Sequence, residues 1–217
     1  MELVKKMLYE RLKPQVEKTL NFHVKNAPGV VIGVYMVDLA LELLDGLYPD
    51  RKSYVLNALC ETNVCLADPI QVLTGCTFGN KYLRLNAVDN GRYALVLYNR
   101  DTSLGFRVFV DLKKINGEKF PELYAFFYKT RDYSSRSRSL ISKATIEEFY
   151  RAERQIFSCQ KVKVNIPAKD DLVPAAVCRN CGESYLVTPA KKKSGQNLCA
   201  YCEALAAGAD LLFEILE

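Results

Sequence analysis

Histidine occurs once and tryptophan not at all in these 217 residues. One histidine means that any imidazole base or metal ligand must be His23. A metal centre built on two or three histidines of a single chain is thereby excluded, and a Ser-His-Asp or Cys-His arrangement must use His23. Long apolar runs are also missing. The most apolar stretch, Val30–Leu44, carries Asp38 and Glu42 and is too short to span a bilayer. The opening MELVKKMLYERLK has no apolar signal core and no cleavage site. These absences predict a soluble, cytoplasmic protein without a membrane segment. Its eight cysteines fall below the density of a disulfide scaffold. In a reducing compartment they are read first as ligands or nucleophiles.

What is present suffices for a core, with 49% hydrophobic residues. The net charge of +5 is modest and unevenly spread. Residues 166–217 sum to −2 and residues 1–165 to +7. The pattern predicts helices over 2–20, with Pro14 as a kink or break, and over Val30–Leu44, with Gly33 allowing close approach and Gly46 as a stop. Ser53–Cys60 reads as a strand, followed by a short helix capped by Asp68 and ended by Gly75. Three strands follow, Tyr82–Asn86, Arg92–Asn99 and Leu104–Asp111, with Asp89-Asn90-Gly91 as a hairpin between the first two. Phe120–Tyr128 reads as helical, Thr145–Glu148 as a capping box opening a helix to Phe157, and Lys161–Val164 as extended. The absence of a βαβα rhythm makes residues 1–165 an α+β domain. Residues 166–177, with two prolines, read as a linker to a module at 178–217.

That module holds Cys178-x-x-Cys181 and Cys199-x-x-Cys202, separated by 17 residues, a spacing typical of a four-cysteine zinc site. Four thiolates at about 2.3 Å close a tetrahedron around the ion, leaving no open position, so the zinc is structural. A knuckle, a hairpin over 183–198 tipped by Ser194-Gly195, and a helix carrying the second pair define a treble clef. Rubredoxin-type iron is the other metal such thiolates accept. Cys60 and Cys159 read as packing residues. Lys191–Lys193 and the basic segment Lys129–Lys143 read as solvated surface, with phosphate or nucleic acid as the functional alternative.

The richest chemistry lies in residues 60–79. Here the chain resembles the E-subunit family of formylmethanofuran dehydrogenase (FmdE), whose signature is close to E-x-x-x-C-x-x-D-x-x-Q-x-x-T-G-C-T-x-G. Glu61, Cys65, Asp68, Gln71, Thr74, Gly75, Cys76, Thr77 and Gly79 match it. A second block resembling F-H-G-H-x-C-P-G is matched by Phe22, His23, Pro28 and Gly29, with Gly33 beyond. Lys25 and Ala27 stand where a histidine and a cysteine are usual. The resemblance runs on into Arg107. It implies an α+β core with an auxiliary treble-clef finger, a homodimer, and a link to a one-carbon, molybdenum- or tungsten-dependent oxidoreductase whose subunits are candidate partners. The chain has no ferredoxin pattern and no pterin site, so it is not itself that catalytic subunit.

From the residues alone, His23, Cys65 and Cys76 form a candidate core pocket able to take a second metal, its fourth position open to water or substrate. Asp68 or Glu61 would orient a ligand or act as a base. Thr74 and Lys25 complete the candidate set. Whether the chain is an enzyme stays open. The competing reading is a non-enzymatic adaptor, docking a protein or nucleic acid through its finger and basic loops.

Overall fold

The computed structural model describes residues 2–85, 91–130, 138–165, 173–187 and 197–209. They fall into two compact units, Met1–Asn165 and Ile166–Glu217.

The first unit is a mixed α+β core. Helix α1 spans Glu2–His23 and passes through Pro14 without ending. One lost backbone bond is outweighed by Leu12, Val16 and Thr19, which bury the face on either side. Helix α2, Pro28–Leu47, starts with proline at its first position and is buried almost throughout its first ten residues. It runs through Gly46 to end at Leu47. A Cβ on Gly33 would lie 2.7 Å from Pro69 Cγ and 3.0 Å from Leu66 Cδ1. Glycine there lets α2 touch helix α3, Ala67–Thr74. Helix α3 ends at Gly75 with φ +71°.

Strand β1 is Leu56–Cys60, shorter than the sequence suggests because residues 51–53 form a 3-10 turn. With β2 (Leu83–Leu85), β3 (Ala94–Asn99), β4 (Leu104–Val110) and β5 (Phe157–Lys163) it makes a sheet of order β2-β1-β3-β4-β5. The β1–β2 pair is parallel and the others antiparallel. The hairpin expected between β2 and β3 is therefore absent, since β1 lies between them; residues 86–90 of its turn lie outside the described residues. Instead α3 is the crossover that parallel strands require. One sheet face, with Ala58, Cys60, Leu95, Leu97 and Val108, packs with α2 into the core.

Helix α4 is Pro121–Tyr128 and α5 is Arg138–Ala152. Thr145 sits inside α5 and its hydroxyl donates to Ile141 O, so it caps nothing. Glu148 accepts the Leu123 N–H of α4 at 2.7 Å, so the acid of the expected box serves the neighbouring helix. A 3-10 turn replaces the end of the expected helix before β5. Arg138–Lys143 belongs to α5, and residues 131–137 of that basic segment lie outside the described residues. Cys159 is exposed on β5, whereas Cys60 is buried and donates to Thr62 O. Arg154 joins Asp38 and Glu42 of α2, and Arg11 of α1 grips Asp38 through two bonds of 2.7 and 2.8 Å.

The second unit contains strands β6 (Ala175–Val177) and β7 (Ser184–Leu186), paired antiparallel, and helix α6 (Ala200–Ala206). Residues 175–177, expected as linker, thus form a strand. In place of a hairpin over 183–198, β7 pairs backwards with β6. Residues 166–172 and 188–196, with Lys191–Lys193 and Ser194-Gly195, lie outside the described residues.

Candidate functional site

In the second unit, Cys178 and Cys181 lie on a tight turn closed by Gly182 N–H to Cys178 O at 2.9 Å, with Gly182 at φ +77°. Cys199 caps α6 and its Sγ accepts the Cys202 N–H at 3.4 Å. The four sulfurs lie within 4.8 Å of one another. Cys181 and Cys199 sulfurs are 3.8 Å apart. Sulfurs at 2.3 Å from one ion sit about 3.8 Å apart at the corners of a tetrahedron, while a disulfide needs about 2.05 Å. The donor set fits zinc. Backbone N–H groups of Cys181 and Cys199 draw the Cys178 thiol down to about 6, favouring the thiolate a metal requires. Asn180 Nδ2 donates to Cys202 Sγ at 3.3 Å, and Tyr185, Leu198 and Tyr201 pack around the cluster. This is a treble-clef-type zinc-finger arrangement, with all four positions supplied by the chain.

In the core unit, α1 delivers His23 from its last turn, and Val24 turns the chain away with φ +68°. Asp68 stands in the first turn of α3, one position inside the cap the sequence suggests, where a carboxylate complements the helix dipole. Its Oδ2 meets His23 Nδ1 at 2.6 Å. A carboxylate only accepts, so Nδ1 carries the proton and Nε2 of the neutral ring keeps its lone pair for a ligand.

Cys65 lies just before α3. A Cβ on Gly29 would stand 3.3 Å from Cys65 Sγ and 2.8 Å from the Tyr93 hydroxyl, so the start of α2 is pressed against both. The Tyr93 hydroxyl donates to Gly29 O. Burial pushes the Cys65 thiol up; Asp68 pushes the same way, and its own backbone bond and Lys129 pull against it. Complete burial also lifts Tyr93 well above its usual value. Lys129 sits at the end of α4 with φ +57°, its ammonium 4.7 Å over the Phe126 ring.

The other candidates go elsewhere. Cys65 precedes α3 and Cys76 follows it, so a helix of about 12 Å, at 1.5 Å per residue, separates them. Cys76 is buried and donates to Leu56 O at 3.2 Å. The expected His23/Cys65/Cys76 triad is therefore not assembled. Among the described residues, the four C-terminal cysteines are the one group of three or more metal-competent side chains within 4.8 Å. Thr74 donates to Ile70 O and accepts the Cys76 N–H, closing the helix end. Glu61 takes Arg107 at 2.6 and 2.9 Å and Arg92 at 2.9 Å, which holds its carboxyl below the usual range; it is an ion-pair partner with no link to His23. Lys25 is exposed. No sequence signal marks Tyr93 or Lys129. Neither lies in a recognisable spacing, and only the fold brings them to Cys65.

Fold and sites together define an α+β core protein with a separate four-cysteine zinc-finger module. The chain belongs to the FmdE family, described as "FmdE, Molybdenum formylmethanofuran dehydrogenase operon", whose profile matches residues 22–158. It is similar to the crystal structure of an FmdE-like protein of tungsten formylmethanofuran dehydrogenase from Syntrophus aciditrophicus. That likeness has a TM-score of 0.70 at 31% identity and covers 92% of this chain and 94% of that one. It is also 29% identical over 209 residues to a probable S-adenosyl-L-methionine-binding protein of Archaeoglobus fulgidus. The match takes in 89% of this chain but 55% of that relative, so the chain spans about half its length. Among the described residues no helix is long and apolar enough to cross a membrane.

Proposed function

We propose that this protein binds a small molecule or a second metal ion in its core domain, residues 1–165, on His23 and Cys65. The finger, residues 178–217, holds a structural zinc. The observation that carries the reading is the His23–Asp68 bond, which fixes the ring with Nε2 available, as in carboxylate-oriented metal histidines. Cys65 supplies a thiol on the next element, and Asp68 serves both groups. With two protein donors, a metal there would keep positions for an exogenous ligand. S-adenosylmethionine, named for the relative from Archaeoglobus fulgidus, is a candidate small molecule. A cytoplasmic homodimer linked to one-carbon, molybdenum or tungsten enzyme metabolism fits the family's description. The exposed Phe22, Val24 and Val64 beside the pocket would suit a dimer face.

Cobalt titration tests the reading. Cobalt bound to thiolate absorbs strongly, so wild type is expected to show two classes of site and the His23→Ala/Cys65→Ser double variant only the four-cysteine class. Identical stoichiometry in both, together with unchanged S-adenosylmethionine binding, removes the core pocket.

The adaptor reading has one observation in its favour. Val177, Leu186 and Leu205 of the zinc-finger module are each more than half exposed. Co-purification of a partner oxidoreductase that is lost on Val177→Asp/Leu186→Asp substitution would support it.

A further inference from the structure

The sheet face turned away from α2 carries a second constellation, on the β1, β2 and β3 side of the sheet. Asn57 of β1 and Tyr98 of β3 stand directly opposite each other, with Asn57 Nδ2 donating to the Tyr98 hydroxyl at 3.4 Å. Strand alternation puts them opposite to Ala58 and Leu97, which face the core. Arg84 of β2 pairs with Leu59, two residues along β1 from Asn57, so it shares that face. Tyr82 has the parity of Arg84. Arg100 lies two residues beyond Tyr98 and extends the ladder through its N–H to Val55 O at 2.9 Å. Its guanidinium is 5.9 Å from the Tyr82 ring centre.

Two features of this group call for a ligand. Asn57 is 7% exposed, and its Oδ1 is buried with no hydrogen-bond partner. Turning the amide over moves the problem to Nδ2, so either way one buried polar atom is unmatched, a cost of about 1–3 kcal/mol. Secondly, neither Arg84 nor Arg100 meets a carboxylate among the described residues, although the acids of the sheet are otherwise paired. Burial lifts the Tyr98 hydroxyl, and the Asn57 amide, Arg84 and Arg100 all pull it back, which shows that both charges reach the same spot. Two unpaired guanidiniums match a dianion, and guanidinium forks suit phosphate oxygens.

We propose that this face binds a phosphate monoester, with Arg84 and Arg100 on the phosphate, the Asn57 amide on a polar group of the ester, and the Tyr82 and Tyr98 rings bordering it. Nothing in the core pocket or the zinc site enters this assignment.

The probe is AMP, titrated calorimetrically into the zinc-loaded full chain beside adenosine and inorganic phosphate. AMP is expected to bind, and adenosine to bind about tenfold more weakly or not at all for want of the phosphate contacts. Arg84→Gln/Arg100→Gln is expected to lose about tenfold or more in AMP affinity, the loss of two charge-assisted contacts. Asn57→Asp places an anion of the same shape beside the two arginines and is expected to abolish binding while zinc content and Tm are kept. No AMP binding to wild type, equal affinity for adenosine, or unchanged AMP affinity in the arginine variant overturns the site. Equal affinity for inorganic phosphate overturns the ester. Should Asn57→Asp fail to fold, the arginine variant, whose side chains are only half-buried, decides alone.

Discussion

His23 and Asp68 stand 45 residues apart in the chain and 2.6 Å apart in space, tying the last turn of α1 to the first turn of α3. Asp68→Ala frees the ring to rotate. Core cobalt affinity is then expected to fall by about 10- to 100-fold, the usual effect of removing a carboxylate behind a metal-binding histidine. Cobalt at the four cysteines should be unaffected, which competitive chelator titration reads directly.

The Cys65 thiol should react slowly at neutral pH. Burial first, then Asp68, raise its titration above that of a free thiol, and Lys129 opposes them. Alkylation by iodoacetamide, followed by mass spectrometry across pH, should show a midpoint above the unperturbed value of about 8.5. Asp68→Asn should move that midpoint down and Lys129→Met should move it up. Shifts in the opposite directions would refute the electrostatic account.

Glu61 predicts an acid limb in stability. Its carboxyl is lowered first by the Arg107 hydrogen bonds. A depressed folded value contributes stability that is complete above the unfolded value of about 4.3 and is lost as pH falls through the folded value. Urea unfolding of wild type should therefore weaken below pH about 4.3. Glu61→Gln should cost about 3 kcal/mol at neutral pH, since it leaves Arg107 without its counter-charge, and its stability should depend less on acid.

Gly33 predicts a packing limit. The methyl of Gly33→Ala would meet the Pro69 ring at 2.7 Å, and a ring cannot swing aside. The expected loss is about 1–3 kcal/mol, read as a lower urea midpoint at unchanged slope.

Metal removal should act on one unit. Chelation, or Cys178→Ser, is expected to melt the finger, because its small apolar cluster of Tyr185, Leu198 and Tyr201 cannot hold it alone. Amide exchange should become fast over residues 173–209 and stay slow in β3 and α2. Uniform protection after zinc loss would show that the fold does not need the ion.

The zinc ligands were readable because two short spacings and one ion specify the whole site. Helices α1 and α2 were readable from periodicity and Pro28. The sheet order was not: Asn90-Gly91 signals a turn, but cannot say that β1 will insert between the strands it separates. Thr145 and Glu148 have a cap's spacing, yet spend their hydrogen bonds inside α5 and on α4. The core pocket was half legible. Motif spacing drew attention to His23, Cys65 and Asp68, but it also promoted Cys76, which the length of α3 carries away. Tyr93 and Lys129 reach Cys65 only through tertiary folding.

The two outer strands of the sheet have a consequence for solubility. An open edge is a template on which another chain can grow. Here β2 is three residues long, and β5 bears Lys161 and Lys163, both exposed. A growing stack would have to begin on a stub or bring lysine against lysine. The same basic excess that first suggested a partner thus also works as a guard against self-association through the sheet.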